Sequence, residues 1–162
     1  MFREMRRIKQ LLPEEETIEI FNSGTSGVLA VAGDDDYPYA VPLSYTFKEG
    51  KLFFHCAKIG HKIDGIRRNE KVTFTVIDRD DIIQETFTTH FRSATAFGRA
   101  RILTEDNERR EALESFVKKY SPDYIKEGQK EIEGDWNVVC VIEVKIEYMT
   151  GKAATEIVNS RV

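Results

Sequence analysis

Apolar and polar residues change rhythm several times along the chain, and each change marks an element. Lys51 to Cys56 alternates, with Leu52 and Phe54 on one face and Phe53 and His55 on the other, the period of a half-buried strand. Lys71 to Asp78 repeats that rhythm through Val72, Phe74 and Val76. Val138 to Glu147 is β-branched and alternating, and reads as the last strand. Gly27 to Ala32 is a short apolar run closed by Gly33-Asp34-Asp35-Asp36, which reads as a turn. Tyr39 to Phe47 reads as one strand. Pro42 brings it no backbone donor, so it is expected to be bulged or to lie at a sheet edge. Glu85 to Leu103 is one long strand, or two with a bend at Gly98. Lys48-Glu49-Gly50 is a hairpin turn and Asp78-Arg79-Asp80-Asp81 a loop.

Helical segments are predicted in four places, the last of them weak. Ile18 and Phe21 share a face in a helix starting at Pro13, where a missing N–H costs nothing. Glu14, Glu15 and Glu16 favour its positive end, and it should stop near Asn22-Ser23-Gly24. Lys62 to Asn69 reads as a short helix. Thr104 is a good cap for a helix to about Tyr120, lined by Leu113, Phe116 and Val117. Ser121-Pro122 ends it, and a weaker helix covers Tyr124 to Ile132. Lys152 to Val162 has little periodicity and reads as a loose tail. About six strands with two or three helices predict a small antiparallel barrel with helical additions. A six-stranded barrel has a filled interior, so a large ligand would need a surface cleft or a subunit interface.

With 162 residues the chain makes one domain, and 24 basic against 28 acidic residues give a net charge of −4. That balance lacks the basic footprint of a general nucleic-acid binder. The longest apolar runs, such as Val28 to Ala32, fall far short of the ~20 residues of a membrane helix. The first twelve residues are basic, with no apolar export segment, so a cytoplasmic location is expected. Cys56 and Cys140 form no zinc or C-x-x-C spacing and read as two reduced thiols, with a strand-to-strand disulfide as the lesser alternative. The run Glu105 to Glu114, with Arg109 and Arg110, reads as a solvated helix face with internal ion pairs.

Three stretches carry candidate chemistry. In Phe54-His55-Cys56-Ala57-Lys58-Ile59-Gly60-His61-Lys62 a strand ends, a glycine turn follows and a helix begins. Free N–H groups and partial positive charge collect at a helix start, and His61 and Lys62 add donors where a phosphate would sit. The competing reading leaves Lys62 facing solvent. Tyr37-Pro38-Tyr39-Ala40-Val41-Pro42-Leu43-Ser44-Tyr45 is an aromatic strand broken by proline, whose backbone groups suit the polar edge of a flat ring; an ordinary edge strand is the plainer reading. In Phe91 to Ala100, Arg92 and Ser93 offer anion contacts, or simply a solvated strand face. No metal ligand set is evident, because His55 and His61 lack a carboxylate at ligand spacing. Nor do His55 and Cys56, which point to opposite strand faces, form a nucleophile–base pair.

In this order and spacing the stretches resemble the FMN-binding split-barrel family of pyridoxamine 5′-phosphate oxidase, in its branch similar to nitroimidazole-resistance reductases. The residues carrying the resemblance are Met5-Arg6-Arg7, Gly27 to Val31, Tyr37 to Tyr45, His55 to Lys62 and Arg92-Ser93-Ala94. The resemblance implies a six-stranded antiparallel split barrel of Greek-key type. It would be a single domain over residues 1–152, with an N-terminal helix, a helical insertion at about 104–133 and a tail at 153–162. It implies a homodimer with FMN at the interface. Val41, Pro42, Leu43 and Ser44 would lie along the ring, and His55 beside the ring or ribityl chain. The bend from Ala57 would cradle the phosphate on His61 and Lys62, with Arg92 or Ser93 helping. Trp136 would complete the partner's pocket. The function implied is reduction of a small electron-poor acceptor, nitroaromatic or quinone, with NADH or NADPH as transient reductant. No side chain is assigned a catalytic role. The alternative is a non-enzymatic flavin- or haem-binding protein, with His90 as a haem candidate on pattern alone. The end of the chain, Met149 to Glu156, lacks the Trp and Arg pattern of true pyridoxamine phosphate oxidases, which puts vitamin B6 oxidation in doubt. No G-x-G-x-x-G follows a strand, so no stable dinucleotide site of that type is expected.

Overall fold

The computed structural model describes residues 1–160. Seven strands make one antiparallel sheet: β1 (Ser26–Ala32), β2 (Pro38–Ser44), β3 (Thr46–Lys48), β4 (Lys51–Ala57), β5 (Lys71–Ile83), β6 (Thr88–Ile102) and β7 (Val139–Ala153). Their order is β2-β1-β5-β6-β7-β4-β3. The helices are α1 (Glu14–Ser23), α2 (His61–Arg68), α3 (Asp106–Tyr120), α4 (Ile125–Asp135) and α5 (Thr155–Asn159). The chain is mainly β with flanking helices, as its rhythm predicts, but the strands number seven rather than six. The stretch expected as one strand from Tyr39 to Phe47 breaks at Tyr45.

That break shapes the sheet. β2 and β3 are its outermost strands, yet Tyr45 alone separates them in the chain. Two residue steps span at most about 7 Å. The sheet must therefore curl until the ends of its two edges meet. Tyr45 fills that corner, fully buried. Its hydroxyl donates to the Phe21 carbonyl at 2.8 Å, one of the terminal carbonyls of α1 that no helical N–H can reach. Inside the roll lie Ile20, Phe21, Leu29, Leu52, Phe54 and Phe74. On the other face of β4 and β7, α3 and α4 cover a smaller core of Leu103, Ala112, Leu113, Ile132 and Val141.

Several local expectations need correction. Asp78–Asp81 is strand, not loop: β5 and β6 continue past a register shift near Asp78 into a hairpin whose β5 arm is exposed. Pro13 stands just before α1 rather than in its first turn, and Glu105 rather than Thr104 precedes α3. β7 runs through Lys152 to Ala153 and α5 follows, with Ile157 and Val158 against the core, so this stretch is folded rather than loose. Residues 161–162 of the expected tail lie outside the described residues. Pro42 does lie on an edge strand, opposite Val28. No helix among the described residues is long and apolar enough to cross a membrane.

One buried charge makes stability depend on pH. Glu143 is 5% exposed and accepts from Arg101 at 2.7 Å and Lys51 at 2.9 Å. Burial alone would raise its pKa, but the bonds from Arg101 and Lys51 outweigh burial and hold it below the usual carboxylate range. Its stabilisation is therefore complete above the unfolded-state value of about 4.3 and disappears as pH falls through the lower folded-state value. Melting temperatures of the wild type and Glu143→Gln should differ near neutrality and converge as the buffer is acidified.

Candidate functional site

β4 delivers the chain to the start of α2. It ends at Ala57, and a bend follows to Gly60, whose φ of +134° belongs to glycine and whose missing Cβ faces open space. No side chain caps α2, whose first intrahelical bonds run from Ile63 and Asp64 to the Gly60 carbonyl. Its first turn thus presents backbone N–H groups outward beside His61 and Lys62. Lys62 is half-buried and takes no ion pair among the described residues.

α2 is held in place by close packing. A Cβ on Gly65 would come within 2.6 Å of the Ala32 carbonyl oxygen, so the helix backbone lies directly on the end of β1. Ile63 and Ile66 bury into the core, and Arg68 donates to the Ala32 carbonyl at 3.0 Å and to Asp34 at 3.2 Å. His61 lies against Tyr39 with ring centroids 4.1 Å apart and planes tilted by 30°, and its Nε2 accepts from the Asp34 N–H at 3.3 Å. His61 is therefore already tied to the Gly33–Asp36 turn, while Lys62, and Lys58 on the bend before it, take no ion pair among the described residues.

β2 runs from this point to a second feature. Tyr39, near its start, touches His61; Ser44, its last residue, reaches a cleft of about 610 Å³ that His55 also lines. Tyr39 to Ser44 is five steps, roughly 17 Å of strand. Leu113, Phe116, Tyr120, Tyr124 and Ile132 of the helical layer form the opposite wall. Val41 and Leu43 turn toward the core, and Pro42 and Ser44 point outward. His55 packs edge-on against Phe116 with centroids 4.7 Å apart, and burial lowers its pKa, which keeps its imidazole neutral near pH 7. Tyr120 locks the wall to the corner: its hydroxyl accepts from the Tyr45 N–H at 3.0 Å and lies 2.7 Å from the Thr25 carbonyl. Lys119 donates to the Gly24 carbonyl at 2.6 Å and sits 4.3 Å from the Tyr45 ring centre.

Two expected residues, Arg92 and Ser93, lie away from α2 within this chain. Arg92 is not at α2: its guanidinium bonds Glu19 at 2.7 Å and Asp78 at 3.0 Å, and its side chain is only 17% exposed. Across the ladders Ser93 lies opposite Ile77, six strand positions (roughly 20 Å) from the end of β1 that seats His61. Trp136 is half-buried, with Arg109 and Arg110 lying 4.2 and 5.0 Å from its ring centre. Arg109 itself is not solvated as expected; it donates to the Trp136 carbonyl at 2.7 Å with a side chain 13% exposed. The cleft wall was not anticipated as a site, although Phe116, Tyr120 and Tyr124 recur every fourth residue. Behind the bend, Lys58, Arg67 and Arg109 surround a pocket of about 250 Å³ that Val139 shares with the cleft.

A family model described as pyridoxamine 5′-phosphate oxidase matches residues 13–153. Similar solved structures include a conserved hypothetical protein of Mycobacterium tuberculosis, 19% identical over 93% of this chain and 90% of that one, TM-score 0.79. A candidate 5-nitroimidazole antibiotic resistance protein of Bacteroides thetaiotaomicron is 21% identical over 88% and 86%, TM-score 0.72. An FAD-binding protein of Mesorhizobium loti is 22% identical over 90% and 97%, TM-score 0.64. No curated protein matches the sequence.

Proposed function

The chain belongs to the pyridoxamine 5′-phosphate oxidase family, and from that premise we propose that it is an FMN-binding flavoprotein that reduces small electron-poor acceptors. The carrying observation is the layout of β2: an edge strand with an uncapped helix start and an unpaired lysine at one end, and an aromatic cleft at the other. The residues present fit the cofactor. A phosphate of nearly two negative charges suits Lys62, with the first-turn N–H groups of α2 and His61 beside it. The open space at Gly60 leaves room for it at the bend from Ala57. A flat ring suits the outer side of β2 at Val41 to Ser44, where an edge strand keeps a row of unpaired N–H and C=O groups. His55, neutral beside Phe116, can donate one hydrogen bond and accept another there.

Bound FMN would supply reversible electron transfer between a reduced nicotinamide and a nitroaromatic or quinone acceptor. The chain's own part is to hold the anion on α2, present backbone hydrogen bonds from β2, and keep water from the cleft with Leu113, Phe116 and Tyr120. Flavin is favoured over haem because the cationic bend answers a phosphate, whereas His90 pairs with Asp81 in the β5–β6 hairpin, away from the cleft. The seven strands are read as the family's split barrel with an extra break at Tyr45. A homodimer with the cofactor at its interface accords with the exposed Ile77, Ile82 and Phe87 of that hairpin, and a cytoplasmic location with two free thiols. Purified protein is expected to be yellow, to release FMN on heating, and to oxidise NADH or NADPH faster when a nitroaromatic or quinone is added. Colourless protein that takes up no added FMN would overturn the reading. A yellow protein without turnover would leave it a flavin carrier.

A further inference from the structure

Cys56 and Cys140 stand directly opposite each other in the β4–β7 ladder. Opposed residues of antiparallel strands have Cα atoms about 4.5–5.5 Å apart and side chains on one face. A disulfide takes about 4.4–6.8 Å. Both cysteines are free. Cys140 is 6% exposed and forms part of the wall of the pocket bounded by Lys58, Arg67 and Arg109, and Cys56 is half-buried. The neighbouring Cys56 thiol, with Arg67, Arg109 and Lys58, outweighs burial and lowers the Cys140 pKa. A thiolate is the attacking species in disulfide exchange, and a cationic rim gathers anionic reagents.

We propose that Cys56 and Cys140 form a reversible intramolecular disulfide by exchange with an anionic low-molecular-weight disulfide. The Cys140 thiolate attacks one sulfur of the reagent, forming a mixed disulfide and expelling one thiolate. Cys56 then gives up its proton to that thiolate and attacks the Cys140 sulfur, expelling the second. The two protein thiols lose two electrons, and the reagent's S–S bond is reduced to two thiols. The new bond sits one residue before Ala57, so it ties the root of the α2 bend to β7.

The test uses the full reduced chain with glutathione disulfide, followed by intact mass and thiol titration. The wild type is expected to lose both thiols and two hydrogen atoms, without a retained adduct, and to recover both thiols with dithiothreitol. Cys56→Ser should stop at a glutathione adduct on Cys140, and Cys140→Ser should keep its thiol over the same period. Cationic cystamine should react about tenfold more slowly than glutathione disulfide, and Lys58→Gln with Arg67→Gln should erase that preference. Wild-type protein that keeps both thiols, retains a stable adduct, or crosslinks between chains would overturn the proposal.

Discussion

Lys62→Ala is expected to weaken FMN binding about ten- to hundred-fold while leaving the fold intact. The side chain takes no ion pair among the described residues, so nothing in the core is left unpaired when it goes. A hydrogen bond to a charged group is worth about 1.5–3 kcal/mol. Each ~1.4 kcal/mol is a factor of ten in affinity. Quenching of flavin fluorescence on titration measures the change directly. Riboflavin, which has no phosphate, supplies the control: its affinity should be the same in wild type and variant. Equal loss for both flavins would mean that Lys62 supports the cleft rather than the anion, and no loss for either would remove α2 from the site. Arg68, six residues further on, makes the contrast. It already serves Asp34 and the Ala32 carbonyl, so its charge is spent inside the molecule.

How much of this could be read from the sequence depends on where the partners of each residue lie. β4 was legible because one face is buried, with Phe54 against Phe74, and the other meets the helical layer, so its alternation is clean. The outer part of the β5–β6 hairpin was not, because Asp78 to Asp81 are exposed and no burial imposes a rhythm on them. The break at Tyr45 was hidden by its own aromatic character: a tyrosine suits a strand, and the reason it turns a corner is the Phe21 carbonyl of a different element. The strand end, glycine turn and helix start around α2 were legible from local spacing, since these residues are contiguous. Arg92 was misplaced because its three acidic neighbours, Glu16, Glu19 and Asp78, come from α1 and β5. The pairing of Cys56 with Cys140 needs the register of β4 against β7, which no spacing within either strand reveals.

Tyr45→Ala should be the most damaging single substitution in the core. Tyr45 is fully buried, and it is the lone residue joining the two edges of the curled sheet. Its ring meets Phe74 edge-on at 4.8 Å and carries the Lys119 ammonium 4.3 Å from its centre. Burial, more than the neighbouring Tyr120 and Asp78, raises its pKa, so the hydroxyl stays protonated and donates throughout the physiological range. Truncating a large buried aromatic costs about 3–5 kcal/mol, against a total of ~5–15 kcal/mol for a domain. Tyr45→Phe separates the two contributions: it keeps the ring and removes the bond to the Phe21 carbonyl, at about 1–3 kcal/mol. Urea unfolding followed by fluorescence should rank wild type, Tyr45→Phe and Tyr45→Ala in that order of midpoint. A Tyr45→Ala midpoint close to that of the wild type would mean that the sheet does not depend on this corner to close. Because Ser44 and the Tyr120 wall hang on the same residue, partial loss of FMN affinity in Tyr45→Phe would show that the corner also sets the width of the cleft.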